Sequence, residues 1–263
     1  MGVNWVALHG TQYTLRSLNR TVVWFSCGAA SAVAAKYAIK QYDNCEIVYC
    51  DTGGEHPSNQ QFLKDVEKWI GGGITILKND KYEDHFDVFK KTKYLYGNRG
   101  SRCTVELKKK LRQKYQRADD IHILGYTYDE KDRADKFEER NPELLVNWIL
   151  IENQITKENC LGIIWQSGIK MPKMYDLGYN HNNCIGCIKG GMGYWNKIRK
   201  DFPDHFNRMA EIEREIGHSR FRDMDTNERI WLDELPEDAG NFKTEPAITC
   251  DLSCGMATSE LND

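Results

Sequence analysis

Between residues 21 and 125, short apolar, β-branched runs alternate with longer stretches whose apolar residues recur at helical spacing. Thr21-Val-Val-Trp-Phe-Ser26 predicts a strand, Cys27-Gly28-Ala29-Ala30-Ser31 a tight turn, and residues 32–42 a helix. Cys45-Glu-Ile-Val-Tyr-Cys50 predicts a second strand. A helix over 58–70 follows, with Phe62, Val66 and Trp69 as its apolar positions, and Gly71-Gly72-Gly73 stops it before a third strand at Ile74–Leu77. A basic helix over 105–117 then leads into a fourth strand, Ile121-His-Ile-Leu-Gly125. Strands alternating with helices imply an α/β fold with a doubly wound, mostly parallel sheet. Ligands of such sheets sit at the carboxyl ends of the strands, which directs attention to the turns after residues 26, 50 and 125.

From Asn141 onward the pattern turns helical, over 144–155, 156–167, 194–200 and 203–216, interrupted by a Gly/Asn/Cys loop at 176–191. The last stretch is charged and irregular. The expected organisation is an N-terminal extension (1–20), an α/β core (21–140) and a helical, cysteine-containing C-terminal part (141–263) packed on that core.

Composition narrows the classes. The chain has 263 residues, 40% hydrophobic and 29% charged, enough for a large core without disulfide staples. Its 36 basic and 39 acidic residues give a net charge of −3, which excludes a whole-protein electrostatic grip on nucleic acid or anionic lipid and leaves only local basic faces. No run approaches the roughly 18 apolar residues of a membrane span. The start lacks a basic-then-apolar signal region, so a cytoplasmic location without a membrane partner is expected. The nine cysteines are an odd number, which in a reducing compartment points to packing, metal or redox chemistry.

Four segments carry candidate chemistry. In Ser26-Cys27-Gly28-Ala29-Ala30-Ser31, small residues let backbone N–H groups and two hydroxyls approach a phosphate or sulfate at a helix N-terminus; the bland alternative is an ordinary strand-to-helix turn. Asp51-Thr52-Gly53-Gly54-Glu55-His56-Pro57 places a carboxylate at a strand end, able to orient a ribose or a cation, or merely to cap a helix. Gly125-Tyr-Thr-Tyr-Asp129-Glu130-Lys-Asp-Arg133 offers Arg133 as a forked donor to an anion, or a solvated charged helix face. Cys184-Ile-Gly-Cys187 can point two thiolates at one metal centre.

In this order the segments resemble the motifs of the phosphoadenosine phosphosulfate (PAPS) reductase family and its PP-loop ATP-pyrophosphatase superfamily, whose loop is usually Ser-Gly-Gly-Lys-Asp-Ser. Ser26, Gly28 and Ser31 match, and Cys27, Ala29 and Ala30 depart. Asp51, Thr52 and Gly53 match the Asp-Thr-Gly after the second strand, and Gly125, Glu130 and Arg133 match the Gly-Ile-Arg-x-x-Glu-Ser-x-x-Arg segment, with Thr127 replacing its first arginine. The resemblance implies a PP-loop, HUP-like fold and an adenine nucleotide ligand (PAPS, APS or ATP). Ala30 stands where the family's aspartate handles ATP and its metal, which favours nucleotide binding without ATP cleavage.

Gly178-Tyr179 and Cys184-x-x-Cys187 resemble the cysteine segment of assimilatory adenosine phosphosulfate reductases, where the pair ligates a 4Fe-4S cluster. On that resemblance Cys103, Cys184 and Cys187 are candidate ligands, with Cys160, Cys250 or Cys254 as the fourth; zinc would satisfy the same residues. Ser253-Cys254-Gly255-Met256 resembles the tail whose cysteine attacks the sulfonucleotide's sulfur, making Cys254 the candidate nucleophile, although Cys250 and Cys254 could equally complete a metal site. Cys45 and Cys50 read as core residues, and Cys27 as a packing residue inside the anion loop. Lys108 to Lys114 and Gly190 to Lys200 read as helix faces or as basic rims for an anion or single-stranded nucleic acid.

The resemblance spans roughly residues 21 to 190, and the ending from Gly191 resembles phage-borne members. It implies a sulfonucleotide reductase-like enzyme working with a thioredoxin-like reductant. The alternatives are an ATP-dependent sulfurtransferase acting on nucleic acid, of the DNA phosphorothioation or tRNA thiolation type, and a non-catalytic nucleotide-binding module with a structural metal. Candidate partners are therefore the nucleotide, the reductant, a nucleic-acid substrate and a second copy of the chain in a homo-oligomer.

Overall fold

A computed structural model of the protein describes residues 19–97, 100–223, 225–248 and 250. It divides into two compact units. The first takes its described residues from 19–50, 58–77 and 114–172, and the second from 51–57, 78–113 and the chain after 172.

The first unit is built on a five-stranded sheet of β1 (Thr21–Phe25), β2 (Cys45–Asp51), β3 (Ile74–Lys78), β4 (Ile121–Leu124) and β5 (Leu145–Asn147), in the order β3-β2-β1-β4-β5. β1 runs parallel to β2, with Thr21 opposite Cys45, and parallel to β4, with Thr21 opposite Ile121; β5 is parallel to β4. Every residue of β1 is buried, as a central strand covered on both faces requires. The predicted α/β architecture is thus the one observed.

On one face, Val23, Phe25, Ile47, Tyr49 and Ile123 pack against three helices. α1 (Ala29–Gln41) contributes Ala32, Val33, Ala35 and Ala38, small residues that let it sit close to the sheet. α2 (Asn59–Ile70) turns in Phe62, Val66 and Ile70, one stripe at i, i+4, i+8, and ends where Gly71 adopts a left-handed φ of 80°. α3 (Lys157–Gln166) contributes Cys160 and Ile164. On the other face the Trp24 indole donates to Nδ1 of His122 at 2.9 Å. At the amino end of the sheet, buried Arg20 forks onto Asp120 through two hydrogen bonds of 2.8 and 2.6 Å and reaches Glu46 at 3.1 Å.

Residues 144–155, expected to be one helix, are instead β5 followed by a single turn at Ile149–Glu152. The apolar run is too short for its period to separate helix from strand, and pairing with β4 satisfies the backbone of β5 in the extended state. The basic helix begins at Arg102, three residues earlier than expected, and carries a π-turn at Val105–Lys109 before continuing over Lys110–Tyr115.

The second unit has its own core of Phe86, Phe89, Met174, Tyr179, Ile185, Trp195, Ile198, Phe206 and Met209. Its main helices are His85–Thr92, Met192–Asp201 and Pro203–Ile216. Two short hairpins pair Tyr96–Gly97 with Gly100–Ser101 and Phe221–Arg222 with Arg229–Ile230. No helix among the described residues is long and apolar enough to cross a membrane.

Candidate functional site

The strand order reverses direction between β1 and β4, the switch point at which open α/β sheets bind ligands. The segment Ser26–Ser31 leaves β1 there and enters α1. Its centre is the Ser31 hydroxyl, which accepts hydrogen bonds from the Ser26 N–H and hydroxyl, both at 3.1 Å, and donates to the Gly28 carbonyl at 3.0 Å. Gly28 caps the helix in an extended conformation, and the first turn of α1 has no acidic residue, so the positive end of the helix dipole is not neutralised from within. Gly125, at the end of β4, lies against the loop: a Cβ there would stand 2.7 Å from both N and Cα of Ser31. Two of the expected segments, 26–31 and 125–133, therefore meet in the first unit.

Cys27 adopts a φ of 57°, the left-handed conformation that the family's glycine supplies at low cost. Its side chain is fully buried, with Sγ 3.6 Å from the Asn59 carbonyl, which is the packing role expected for it.

Beyond Gly125, Thr127 and Glu130 close a capping turn, with the Thr127 N–H donating to Glu130 at 3.2 Å. Arg133 donates to the Glu130 carboxylate, and its guanidinium lies 4.6 Å above the Tyr126 ring, itself stacked on Trp148 at 5.1 Å. Burial, with the charge of Arg133 added to it, holds the Lys157 ammonium below its usual pKa, so a second cation stands close to Arg133. Sequence reasoning missed both Trp148 and Lys157, which come from segments distant along the chain.

The Asp51–Pro57 segment belongs to the second unit. Gly53, with a φ of 66°, would drive a Cβ into the Glu83 carbonyl at 1.9 Å, so glycine is required there. The Asp51 carboxylate accepts from the Gly53 N–H at 2.9 Å. Thr52, read in the sequence as a nucleotide contact, has its hydroxyl 3.1 Å from Cys184 Sγ, and the Gly54 carbonyl accepts from the Ile185 N–H at 2.9 Å. This segment thus braces the cysteine loop.

Cys184 and Cys187 are buried, at 8% and 6% exposure. Gly186 between them has a φ of 74°, and a Cβ there would meet Phe86 at 2.9 Å and Trp195 at 3.1 Å. The Tyr194 hydroxyl ties the loop together, accepting from the Cys187 N–H at 2.9 Å and donating to the Cys184 carbonyl at 3.4 Å. Burial pushes the Cys187 thiol up to about 11, reinforced by Cys250 and opposed by Lys189 and Lys108. Burial, Glu55 and Cys250 push Cys184 well above its ordinary value, against Lys108 and the Thr52 hydrogen bond. Both shifts favour the protonated thiol, and a bound metal or a nearby base would act in the opposite direction.

Cys250 is half-buried, with Sγ 3.8 Å from the Thr104 hydroxyl and its carbonyl accepting from Lys108 Nζ at 3.4 Å. Cys103 is partly buried beside Tyr82, Val88 and Leu107. Cys160 is fully buried in the core of the first unit, where burial pushes its thiol up to about 12. Cys254, the expected nucleophile, lies outside the described residues. The described cysteines are all free of disulfides. Among the described residues no three His, Cys, Asp or Glu side chains are grouped to hold a metal ion, so they do not by themselves complete a cluster or zinc site.

The basic segments pack. Lys108, Lys109 and Arg112 are buried, as are Tyr194 and Trp195, which removes those two rings from the candidates for stacking on nucleic acid.

Comparison with known proteins agrees with the loop and its setting. The chain is 23% identical over 202 residues to the uncharacterized protein MJ0973 of Methanocaldococcus jannaschii, covering 74% of this chain and 47% of that one. It is 26% identical over 209 residues to the uncharacterized protein MJ0066 of the same organism, covering 74% and 42%. The chain thus spans less than half the length of these curated relatives. Residues 20–190, which hold the whole sheet, the Ser26–Ser31 loop and the Cys184–Cys187 pair, match the phosphoadenosine phosphosulfate reductase domain, and the chain belongs to that family.

Proposed function

We propose that the protein is a sulfonucleotide reductase-like enzyme, which binds an adenine nucleotide through the Ser26–Ser31 loop and handles its sulfur with cysteine thiols. The observation that carries the nucleotide half is the Ser31-centred loop, pressed against Gly125 at the switch point of the sheet. Backbone N–H groups at the start of α1 and the hydroxyls of Ser26 and Ser31 are suited to an anionic group, with Arg133 as a further donor. Ala30 has no carboxylate to hold a metal on a triphosphate, which favours binding a sulfonucleotide over cleaving ATP.

In this reading Cys254 takes the nucleophile's role that its resemblance implies. Its thiolate attacks the sulfate sulfur and the nucleotide's phosphate leaves; a second thiol then attacks the S-sulfocysteine, forming a disulfide and releasing sulfite, and a thioredoxin-like dithiol restores the thiols. A 4Fe-4S cluster or zinc would be held in this reading by Cys103, Cys184 and Cys187, with Cys160, Cys250 or Cys254 as the fourth donor. Such a centre would supply redox tuning or structural support.

The test is anaerobic purification, iron, sulfide and zinc analysis, and incubation with PAPS, APS or ATP plus a dithiol. Sulfite release from PAPS or APS, with affinity weakened roughly tenfold in Ser31→Ala, is the expected result. Formation of AMP and pyrophosphate from ATP would move the assignment to ATP-dependent sulfur transfer, and tight binding without turnover would leave a nucleotide-binding module.

A further inference from the structure

The sheet of the first unit ends on two edge strands, β3 and β5, and they are protected unequally. β5 carries an exposed Leu145 but is three residues long and follows Pro142 and Glu143, features that blunt an edge against pairing. β3 is five residues long, Ile-Thr-Ile-Leu-Lys, with no proline and with its single charge at the last position. Its inner side pairs with β2. On its outer side no strand lies among the described residues, so that side offers backbone N–H and C=O groups to a further strand.

Side chains alternate between the two faces of β3. Ile74 is buried in the core with α2, and Thr75 lies on the opposite face, where it meets the Tyr115 hydroxyl. Ile76 returns to the face of Ile74 but is 55% exposed, a large apolar side chain left at the rim of the sheet. Two charges flank it on that face. Glu67 of α2 accepts from the Ile74 N–H at 2.9 Å through one carboxylate oxygen, and it pairs with no lysine or arginine among the described residues. Lys78 is half-exposed, and its ion pair with Asp51 is long, at 3.9 Å.

We propose that β3 is a homodimer interface, at which a second copy of the chain adds its own β3 antiparallel about a two-fold axis at Ile76, joining two five-stranded sheets into one. In that register Ile76 stands opposite Ile76 of the second copy, Thr75 opposite its Leu77 and Ile74 opposite its Lys78. The two exposed isoleucines cover each other. Each Lys78 lies against the other copy's Ile74, on the face where Glu67 is bonded to that residue, so every contact occurs twice and each unpaired carboxylate gains an ammonium group. The strand is therefore complementary to itself in apolar contact and in charge. A parallel copy in register would instead set Lys78 against Lys78 and leave Glu67 unmatched, which is why the antiparallel arrangement is the one chosen.

The test is sedimentation equilibrium of the full-length protein, with oxidative cross-linking of single-cysteine additions. The unaltered protein is expected to sediment as a reversible dimer. Ile76→Lys, which brings two ammonium groups together at the axis, is expected to sediment as a monomer with an unchanged far-ultraviolet circular dichroism spectrum. Lys78→Glu exchanges two opposite-charge pairs for two like-charge pairs and weakens association about tenfold. Directly opposed residues have Cα atoms about 4.5–5.5 Å apart, within the reach of a disulfide. Only the residue on the axis faces its own copy, so Ile76→Cys forms a disulfide-linked dimer and Thr75→Cys does not, with peptide mapping to separate that link from any made by the native cysteines. A protein that stays monomeric at the highest concentration reached, a dimer that Ile76→Lys leaves intact, or equal cross-linking through positions 75 and 76 overturns the interface.

Discussion

The Ser26–Ser31 loop of the first unit and the Cys184–Cys187 loop of the second are assembled in opposite ways. The loop is six consecutive residues, set by one strand and one helix and closed by one distant glycine, Gly125. The cysteine loop draws on Thr52, Cys184, Cys187, Tyr194 and Glu245, spread between residues 52 and 245, and a few polar contacts hold it. A site written in one segment needs only its strand and helix to form. A site gathered from many segments depends on a small number of long-range bonds, and single substitutions far from the sulfurs can undo it.

This contrast breaks if the first unit proves as sensitive to remote polar contacts as the second. The largest expected effect is there all the same, at the amino end of the sheet and away from the loop. Arg20→Ala leaves Asp120 buried without its fork and is expected to cost about 3–5 kcal/mol in urea unfolding, with the loss shared by the whole sheet. Arg20 holds the Asp120 carboxyl below its ordinary value, against the opposing effect of burial. The pair's contribution is therefore present above pH 4 and lost as pH falls through the lowered Asp120 pKa.

The next effect sharpens the account of the second unit. Burial pushes Glu213 up to about 7, against two backbone N–H groups, those of Arg220 and Leu232, that its carboxylate accepts at 2.7 and 2.8 Å. A raised acid contributes stability below its unfolded value of 4.5 that is lost as pH climbs through 7, at most roughly 3 kcal/mol. Buried His85 has the opposite sign: burial lowers it to about 4, so its contribution is present above 6.5 and lost as pH falls through 4. The two slopes oppose each other between pH 4.5 and 6.5, so these two contributions offset one another there. Glu213→Gln removes one of them, and denaturant unfolding of that variant should show stability rising across the window; a flat profile in the variant would refute the assignment.

The smallest effect tests the loop itself. In Gly125→Ala the added methyl lies 2.7 Å from the Ser31 backbone, and the strain is expected to cost about 1–3 kcal/mol. Because the clash falls on the loop, nucleotide affinity should drop more than the melting temperature suggests, while bridging of Cys184 to Cys187 by the dithiol cross-linker dibromobimane in the unfolded-and-refolded protein is unchanged. Equal loss of bridging would mean that the two sites are not assembled independently.

Much of the first unit was legible in the sequence because its signals are local. Four strands follow from β-branched runs, the stop of α2 from Gly71, and the anion loop from small residues between strand and helix. The fifth strand was not legible: Leu144 to Ile155 has the apolar content of either element, and the choice fell to pairing with β4. Cys184 and Cys187 stood out by their spacing, but nothing local marked Thr52 as a brace for Cys184, Tyr194 as the tie across the loop or Glu245 as a cap. The buried state of Lys108, Lys109 and Arg112 was equally hidden, since a run of bases reads as a solvated face until the chain covers it.

What the sequence determined by itself was the α/β alternation, the position of the Ser26–Ser31 turn between strand and helix and the spacing of the paired thiols, because strand pattern, helix start and Cys-x-x-Cys spacing are properties of a few neighbouring residues. Only the tertiary structure decided that the Thr52 hydroxyl lies against Cys184, that Cys27 bears a glycine's backbone angle, and that Glu245 caps the helix that carries Tyr194. Those outcomes turn on burial and on hydrogen bonds between residues 51 to 132 positions apart, whose partners are set by packing and leave no mark on the residues beside them.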